Sequence, residues 1–302
     1  MARLRTIDPA SLAPIARMEL VARQAVEGFL TGRHKSPFHG SSVEYADHRP
    51  YTDGDEIRSL DWKQLAKTDK YYVKLYEDQT NLRCTVLLDV SRSMGFRGQI
   101  EGPRRPDKLT YASHLAAALG YLMLRQNDAI GLGLIDEQLR RYLPARAKAS
   151  HFRRILAELQ AEPAQAASRL GPVIHELAGR LKRRGMVVLI SDLLDEPDQL
   201  IPALAHLRHR KHEVLVFHVM DPDEVTFPYQ RLTRFRDMEG AGMVVADPGN
   251  IRQRYLDRLS AFLGRIKKGC HENDVTYELA RTDQPWDQLL GAFLARRSRV
   301  GG

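Results

Sequence analysis

Four apolar runs punctuate the chain: Cys84-Thr85-Val86-Leu87-Leu88, Ala129-Ile130-Gly131-Leu132-Gly133-Leu134-Ile135, Met186-Val187-Val188-Leu189-Ile190 and Glu213-Val214-Leu215-Val216-Phe217-His218-Val219. Runs of this length without polar alternation predict strands covered on both faces, the usual condition of a parallel sheet. Helical patterns separate them near residues 107–125, 150–160, 169–184 and 199–209, so strands and helices alternate. That alternation predicts an α/β fold, a central mostly parallel sheet flanked by helices with right-handed crossovers. The tail adds a hairpin around 235–245 and helices near 250–272 and 285–297. Ahead of the first run, Leu12, Ile15, Met18, Val21, Val26 and Phe29 predict a helix over about 9–30. Gly, Ser, His, Pro and Asp then mark 31–60 as loop, and the run Tyr71-Tyr72-Val73-Lys74-Leu75-Tyr76 predicts a strand. The chain is thereby divided into an N-terminal helix-loop-strand extension, residues 1–80, and an α/β domain, residues 81–302.

The chemistry gathers where two of these strands end. Asp89-Val90-Ser91-Arg92-Ser93 offers one carboxylate and two hydroxyls at alternate positions, and Ser191-Asp192 ends the third apolar run. Parallel strands bring their carboxyl ends to one rim, so Asp89 and Asp192 are expected to converge across a hundred residues of sequence. A hard dication offsets the repulsion between two such carboxylates, and Mg²⁺, with Mn²⁺ or Ca²⁺ as alternatives, accepts a shell of oxygens completed by water. The plainer reading is that Asp and Ser close a turn or cap the next helix.

Composition narrows the picture by exclusion. With 43% hydrophobic residues a real core is expected, and a net charge of +8 invites a nucleic-acid reading. The basic residues are scattered through clusters such as Arg180–Arg184 and Arg208–Lys211, with no aromatic platform, zinc pattern or long basic tail, so nucleic acid is not an expected partner. His206, His209 and His212 lack the His-Glu-x-x-His helix pattern, so zinc is not expected either. Cys84 and Cys270 are too sparse for a disulfide framework. With no signal-peptide pattern and no membrane span in the sequence, a cytoplasmic location is the expectation.

Asp89-x-Ser91-x-Ser93, followed by Met94-Gly95, resembles the metal-ion-dependent adhesion site of von Willebrand factor A domains, with Ser191-Asp192 as its third element. The resemblance implies a von Willebrand factor A-like (Rossmann-like) sheet. It also implies a second element, usually a Thr ahead of a helix; the only Thr between Ser93 and Asp192 is Thr110, and Ser168 takes the place instead. The stretch Arg49-Pro50-Tyr51-Thr52-Asp53-Gly54-Asp55-Glu56-Ile57-Arg58-Ser59-Leu60-Asp61-Trp62 resembles the signature of the DUF58 family, and Asp237-Met238-Glu239 and Tyr255 fit that family's layout. Larger members carry membrane helices ahead of this region, and this chain resembles the short, soluble form. Within the signature, Gly54-Asp55, Arg58 and Asp61-Trp62 fit either a recognition loop or an Arg–Asp pair under a Trp lid, the second being favoured.

Members of the family commonly accompany MoxR-type AAA+ ATPases. The resemblance therefore implies a non-enzymatic adaptor in chaperone-like assembly or maturation, holding Mg²⁺ through Asp89, Ser91, Ser93, Ser168 and Asp192 and meeting the Asp or Glu of a protein partner. The alternative is a Mg²⁺-dependent hydrolase or phosphoryl-transfer enzyme. Against it stand a missing phosphate loop, a missing nucleophile elbow and the lack of a Lys in a marked position.

Overall fold

Two compact units make up the chain, Phe38–Leu82 on one side of the division and Met1–Pro37 with Arg83–Gly302 on the other. The computed structural model describes residues 17–24, 26, 40–52, 62, 65–66, 71–80, 82–98, 105–160, 166–238 and 242–300. In the smaller unit, β1 (Gly40–Pro50) pairs antiparallel with β2 (Tyr72–Thr80), with irregularities between Gly40 and Val43 and between Tyr45 and Asp47. Residues 40–50, expected as loop, are thus strand. Their composition carries turn signals, and what overrides them is pairing with a partner about thirty residues away, which local propensity does not record. Trp62 is 60% exposed and so does not serve as a buried lid, while residues 53–61 of the signature lie outside the described residues.

The larger unit carries β3 (Arg83–Asp89), β4 (Ala129–Ile135), β5 (Leu139–Arg146), β6 (Met186–Ser191), β7 (Glu213–Met220), β8 (Thr233–Arg236), β9 (Met243–Ala246) and β10 (Thr276–Arg281). Six of these form one sheet in the order β10-β7-β6-β3-β4-β5, parallel throughout except for β5 against β4. The four predicted runs are its inner strands. The two edge strands were not expected, because edge strands need no continuous apolar run: Leu-Arg-Arg-Tyr-Leu-Pro-Ala-Arg and Thr-Tyr-Glu-Leu-Ala-Arg mix charge with apolar residues. The expected hairpin near the C-terminus is the separate antiparallel pair β8–β9.

Helices cover both faces. Residues 17–24 are helical, and after β3 the helices are, in chain order, α1 (Lys108–Arg125), α2 (Ala149–Glu158), α3 (Leu170–Arg180), α4 (Pro197–His209), α5 (Pro222–Thr226), α6 (Pro248–Glu272) and α7 (Trp286–Val300). Alternate residues of the inner strands divide between the faces. Leu87, Val187, Leu189, Val214 and Val216 join Leu170, Ile174 and Leu177 of α3, Leu200, Leu204 and Leu207 of α4, and Ile266 and Cys270 of α6 in one core. On the opposite face α1 is buried over nearly its whole length, from Leu115 to Met123, and Phe217 meets Phe293 of α7 edge-on at 5.7 Å. Asp107 caps α1 by accepting the Thr110 N–H at 2.6 Å, which sets the helix start beside the carboxyl rim of the sheet.

Among the glycines at close approaches, Gly131 and Gly269 face different kinds of neighbour. A Cβ on Gly131 would lie 2.7 Å from the Leu143 carbonyl oxygen and 2.8 Å from the Ala145 nitrogen, both backbone of β5, whereas the three atoms nearest one on Gly269 all belong to the Ile201 side chain. Gly131→Ala is expected to fall at the upper end of the ~1–3 kcal/mol cost of overpacking and Gly269→Ala at the lower end, because a side chain can turn aside and a paired strand cannot. Urea denaturation of the two variants checks the order.

His218 on β7 is buried, its Nδ1 2.8 Å from the Tyr277 hydroxyl, and burial lowers its pKa from 6.5 to about 4. The unfolded chain therefore takes up this proton first as pH falls. The contribution is complete above about pH 6.5 and is lost towards pH 4, a change of about 3 kcal/mol. Subtracting the pH–stability curve of His218→Phe from that of the wild type isolates it; a flat difference would contradict the assignment.

Candidate functional site

Because the inner strands run parallel, their carboxyl ends deliver four carboxylates to one rim. Asp89 ends β3, Asp136 follows β4, Asp192 follows β6 and Asp221 follows β7, and each is at most 2% exposed. The Asp89 carboxylate stands at the centre. Its Oδ1 accepts the Ser91 N–H at 2.9 Å, and its Oδ2 accepts the Ser191 hydroxyl at 2.5 Å and the Ser168 hydroxyl at 3.3 Å. The Ser91 and Ser93 hydroxyls lie 3.0 Å apart, on the strand-to-turn segment that leads into a 3₁₀ turn at Arg92–Gly95.

Ser168 reaches this cluster because its loop is tied to the rim: Arg92 N–H donates to the Ala166 carbonyl at 3.1 Å and Arg169 N–H to the Asp136 carbonyl at 3.2 Å. The N-cap of α3 is Arg169, without a side-chain cap, and the Ser168 hydroxyl turns to Asp89. Thr110 lies on the exposed side of the first turn of α1. Asp89, Ser91, Ser93 and Ser168 are therefore brought together with Ser191. The plain turn-closing role of Asp89 is also present, in its bond to Ser91.

Asp192 has a different partner. Its Oδ2 accepts from the Lys108 ammonium at 2.7 Å, and Lys108 also donates to Glu224 at 2.8 Å. Burial opposes the charge on Lys108, but the two carboxylates outweigh it and raise its pKa above the ordinary value. Asp89 is raised to about 7, first by burial and then by the nearby Asp192 charge, against the lowering effect of its serine donors. The negative charge of Asp89 is thus met by neutral groups, while the buried cation of the site is held by its neighbours.

A second buried network adjoins the first. Asp221 accepts from Arg105 at 3.2 Å, Gly98 N–H at 3.1 Å and Thr282 at 3.1 Å, and Asp223 accepts from Arg105 at 2.9 Å. Glu224 closes a capping box with Asp221 at the start of α5, and its backbone carbonyl accepts the Tyr255 hydroxyl at 2.9 Å. A pocket of about 300 Å³ opens over the site, lined by Ser93, Phe96, Lys108, Leu194, Glu224, Asp237 and Met238. Glu239 lies outside the described residues.

Sequence reasoning missed Lys108, Asp136 and Asp221. The last two follow the same strand-end rule that selected Asp89 and Asp192. Lys108 carried a subtler signal: a cation as the first residue of a helix opposes the helix dipole and needs a nearby anion to hold it there.

Fold and site together define an α/β protein with a buried carboxylate–hydroxyl cluster at the carboxyl rim of a mostly parallel sheet. The chain belongs to the DUF58 family of proteins of unknown function, whose family model matches residues 47–261. An uncharacterized protein of Mycobacterium tuberculosis is 27% identical over 304 aligned residues, covering 97% of this chain and 91% of the relative. An aerotolerance-related membrane protein from Bacteroides fragilis, in a form with multiple mutations to serine, is 17% identical at a TM-score of 0.49, covering 72% of this chain and 99% of that one. The conserved hypothetical protein BatB from Bacteroides thetaiotaomicron is 15% identical at a TM-score of 0.49, with the same shares of the two chains.

The expected cytoplasmic location is corrected by these comparisons, since the Bacteroides fragilis protein is described as a membrane protein. Among the described residues no helix is long and apolar enough to cross a membrane, and both cysteines are free and buried.

Replacing Lys108 by Met leaves the buried Asp192 and the partly buried Glu224 without their cation. The expected loss is about 3–5 kcal/mol, as for other buried pairs deprived of one partner, and Lys108→Met combined with Asp192→Asn is expected to recover part of it. Equilibrium urea denaturation of both variants measures the difference.

Proposed function

We propose that this chain is a non-enzymatic, metal-dependent protein-binding module with a von Willebrand factor A-like domain, in which Asp89, Ser91, Ser93, Ser168 and Asp192 form the metal site. The observation that carries the reading is Asp89, fully buried and hydrogen-bonded to one backbone N–H and two serine hydroxyls. A desolvated carboxylate surrounded by neutral oxygens is a donor set that fits a hard dication, which would offset the cost of its burial. Asp89 would supply the anionic oxygen and Ser91, Ser93 and Ser168 the neutral ones. Asp192, sharing its charge with Lys108, would add little negative charge of its own. Mg²⁺, Mn²⁺ or Ca²⁺ held there would keep net positive charge and attract an incoming carboxylate.

The pocket beside Ser93 gives that carboxylate a way in. The partner we propose is a protein, a MoxR-type AAA+ ATPase or a client presenting Asp or Glu. The engagement of Lys108 by Asp192 and Glu224 favours binding over phosphoryl transfer, for which a cation near the site would have to turn to a phosphate.

Titration with Mg²⁺ or Mn²⁺, read by calorimetry and by thermal denaturation, tests the site. The wild type is expected to be stabilised by about 2.7 kcal/mol at a hundred-fold excess over Kd. Asp89→Asn is expected to lose that response yet melt no lower than wild type in EDTA, because the amide removes a buried charge. An equal response in both proteins would overturn the proposal. For the partner, retention of a purified MoxR-type ATPase on the immobilised chain is expected to need the metal, and retention unchanged by EDTA would count against bridging.

A further inference from the structure

Beside the candidate cleft the surface turns apolar. Met243, Val244 and Val245, the first three residues of β9, are each more than half exposed, as is Leu232 just before β8; Leu194 on the cleft wall is 47% exposed. Met243, Val244 and Val245 belong to a sheet that, among the described residues, has two strands, β8 and β9, so that each leaves an edge without a ladder partner there. Natural sheets blunt such edges with charge, proline or a cover, and an apolar edge left open is a template for another strand.

The two faces of the hairpin differ. Register pairs Arg234 with Val245 and Arg236 with Met243 on one face, and Phe235 with Val244 on the other. Phe235 packs on Phe227, with ring centroids 5.6 Å apart, and on Tyr229 at 5.2 Å, and Phe227 in turn lies 4.6 Å from Tyr255 of α6. That aromatic cluster fixes the hairpin to the body. The opposite face presents alternating arginine and apolar side chains to solvent, with Arg231 exposed beside it. The turn end of the hairpin, closed by Asp237 N–H donating to the Gly242 carbonyl at 2.9 Å, contributes Asp237 and Met238 to the same pocket as Ser93 and Leu194.

From this arrangement we infer that the β8–β9 hairpin is a strand-addition surface, and that the partner of the candidate cleft is an extended protein segment of alternating acidic and apolar residues that pairs along β9. The inference rests on the binding reading above and names the form the partner takes. Backbone amides and carbonyls of β9 supply affinity without regard to sequence, and the side-chain face supplies selectivity. Arg234 and Arg236 select acidic side chains, Met243 and Val245 select apolar ones, and continuity with the pocket brings one acidic residue of the segment to the cleft.

The test uses the full chain and a phage-displayed library of short random peptides, selected in the presence of Mg²⁺. Enriched peptides are expected to alternate Asp or Glu with Val, Ile or Leu, and to slow amide exchange at residues 243–246. Arg234→Glu with Arg236→Glu, and separately Val245→Asp, are expected to weaken them about ten-fold or more. Both variants change exposed positions, and their thermal midpoints verify that the fold is kept. No enrichment, enrichment of peptides without acidic residues, or equal binding by the hairpin variants would overturn the inference. An Asp89→Asn arm separates it from the metal reading. Hairpin-dependent binding that survives Asp89→Asn and EDTA supports the strand surface and removes the metal. Mg²⁺ binding by the free chain, together with peptide affinity unchanged in the hairpin variants, removes the strand surface alone.

Discussion

The carboxylate of Asp89 is the constraint around which the rim of this protein is arranged. A charge withdrawn from water must be met by hydrogen bonds or by an opposite charge, and here the chain meets it with neutral donors from three separate segments. Ser91 comes from the turn after β3, Ser191 from the end of β6 and Ser168 from the loop ahead of α3. Each segment is held in place by its own backbone bonds, so the geometry of the site is a property of the sheet and its loops together.

Lys108 shows the same economy from the opposite sign. It enters at the first residue of α1, is wholly buried, and joins Asp192 of the β6 end to Glu224 of α5. Burial of an ammonium there is tolerable only because two carboxylates meet it, and burial of Asp192 only because it is present. The start of the central helix, the end of the central strand and the short helix after β7 are thereby tied through one side chain. Arg105 repeats the device one step outward with Asp221 and Asp223. The rim thus contrasts two solutions to the same problem: charge pairing at Asp192 and Asp221, and neutral hydroxyls at Asp89. The second leaves negative charge that an added cation can answer, and this is why the metal reading attaches to Asp89.

The surface beside that rim follows a different logic. Where the core alternates apolar residues between two covered faces, β9 places three successive apolar residues in solvent. Such exposure is costly for a free surface and understandable for one that is covered in a complex. In the proposed reading, its place beside the polar pocket would join an apolar contact to an electrostatic one, the combination by which recognition surfaces commonly divide affinity from specificity.

How much of this was legible in advance depended on how locally each feature is encoded. The inner strands were, because each needs an unbroken apolar run wherever helices cover both faces, and β4 and β6 emerged over nearly the predicted residues. Parallel topology then implied that Asp89 and Asp192 share a rim. The edge strands β5 and β10 and the strand β1 were not, since their sequences are mixed and their conformation is decided by a neighbour. The pairing of Lys108 with Asp192, 84 residues apart, was also hidden, and so was the choice of Ser168 as a donor to Asp89 in place of capping its helix. Periodicity and strand-end chemistry are local and survive in the linear order. Which buried charge faces which partner is decided only when the chain closes, because desolvation makes those pairings obligatory and sequence distance says nothing about them.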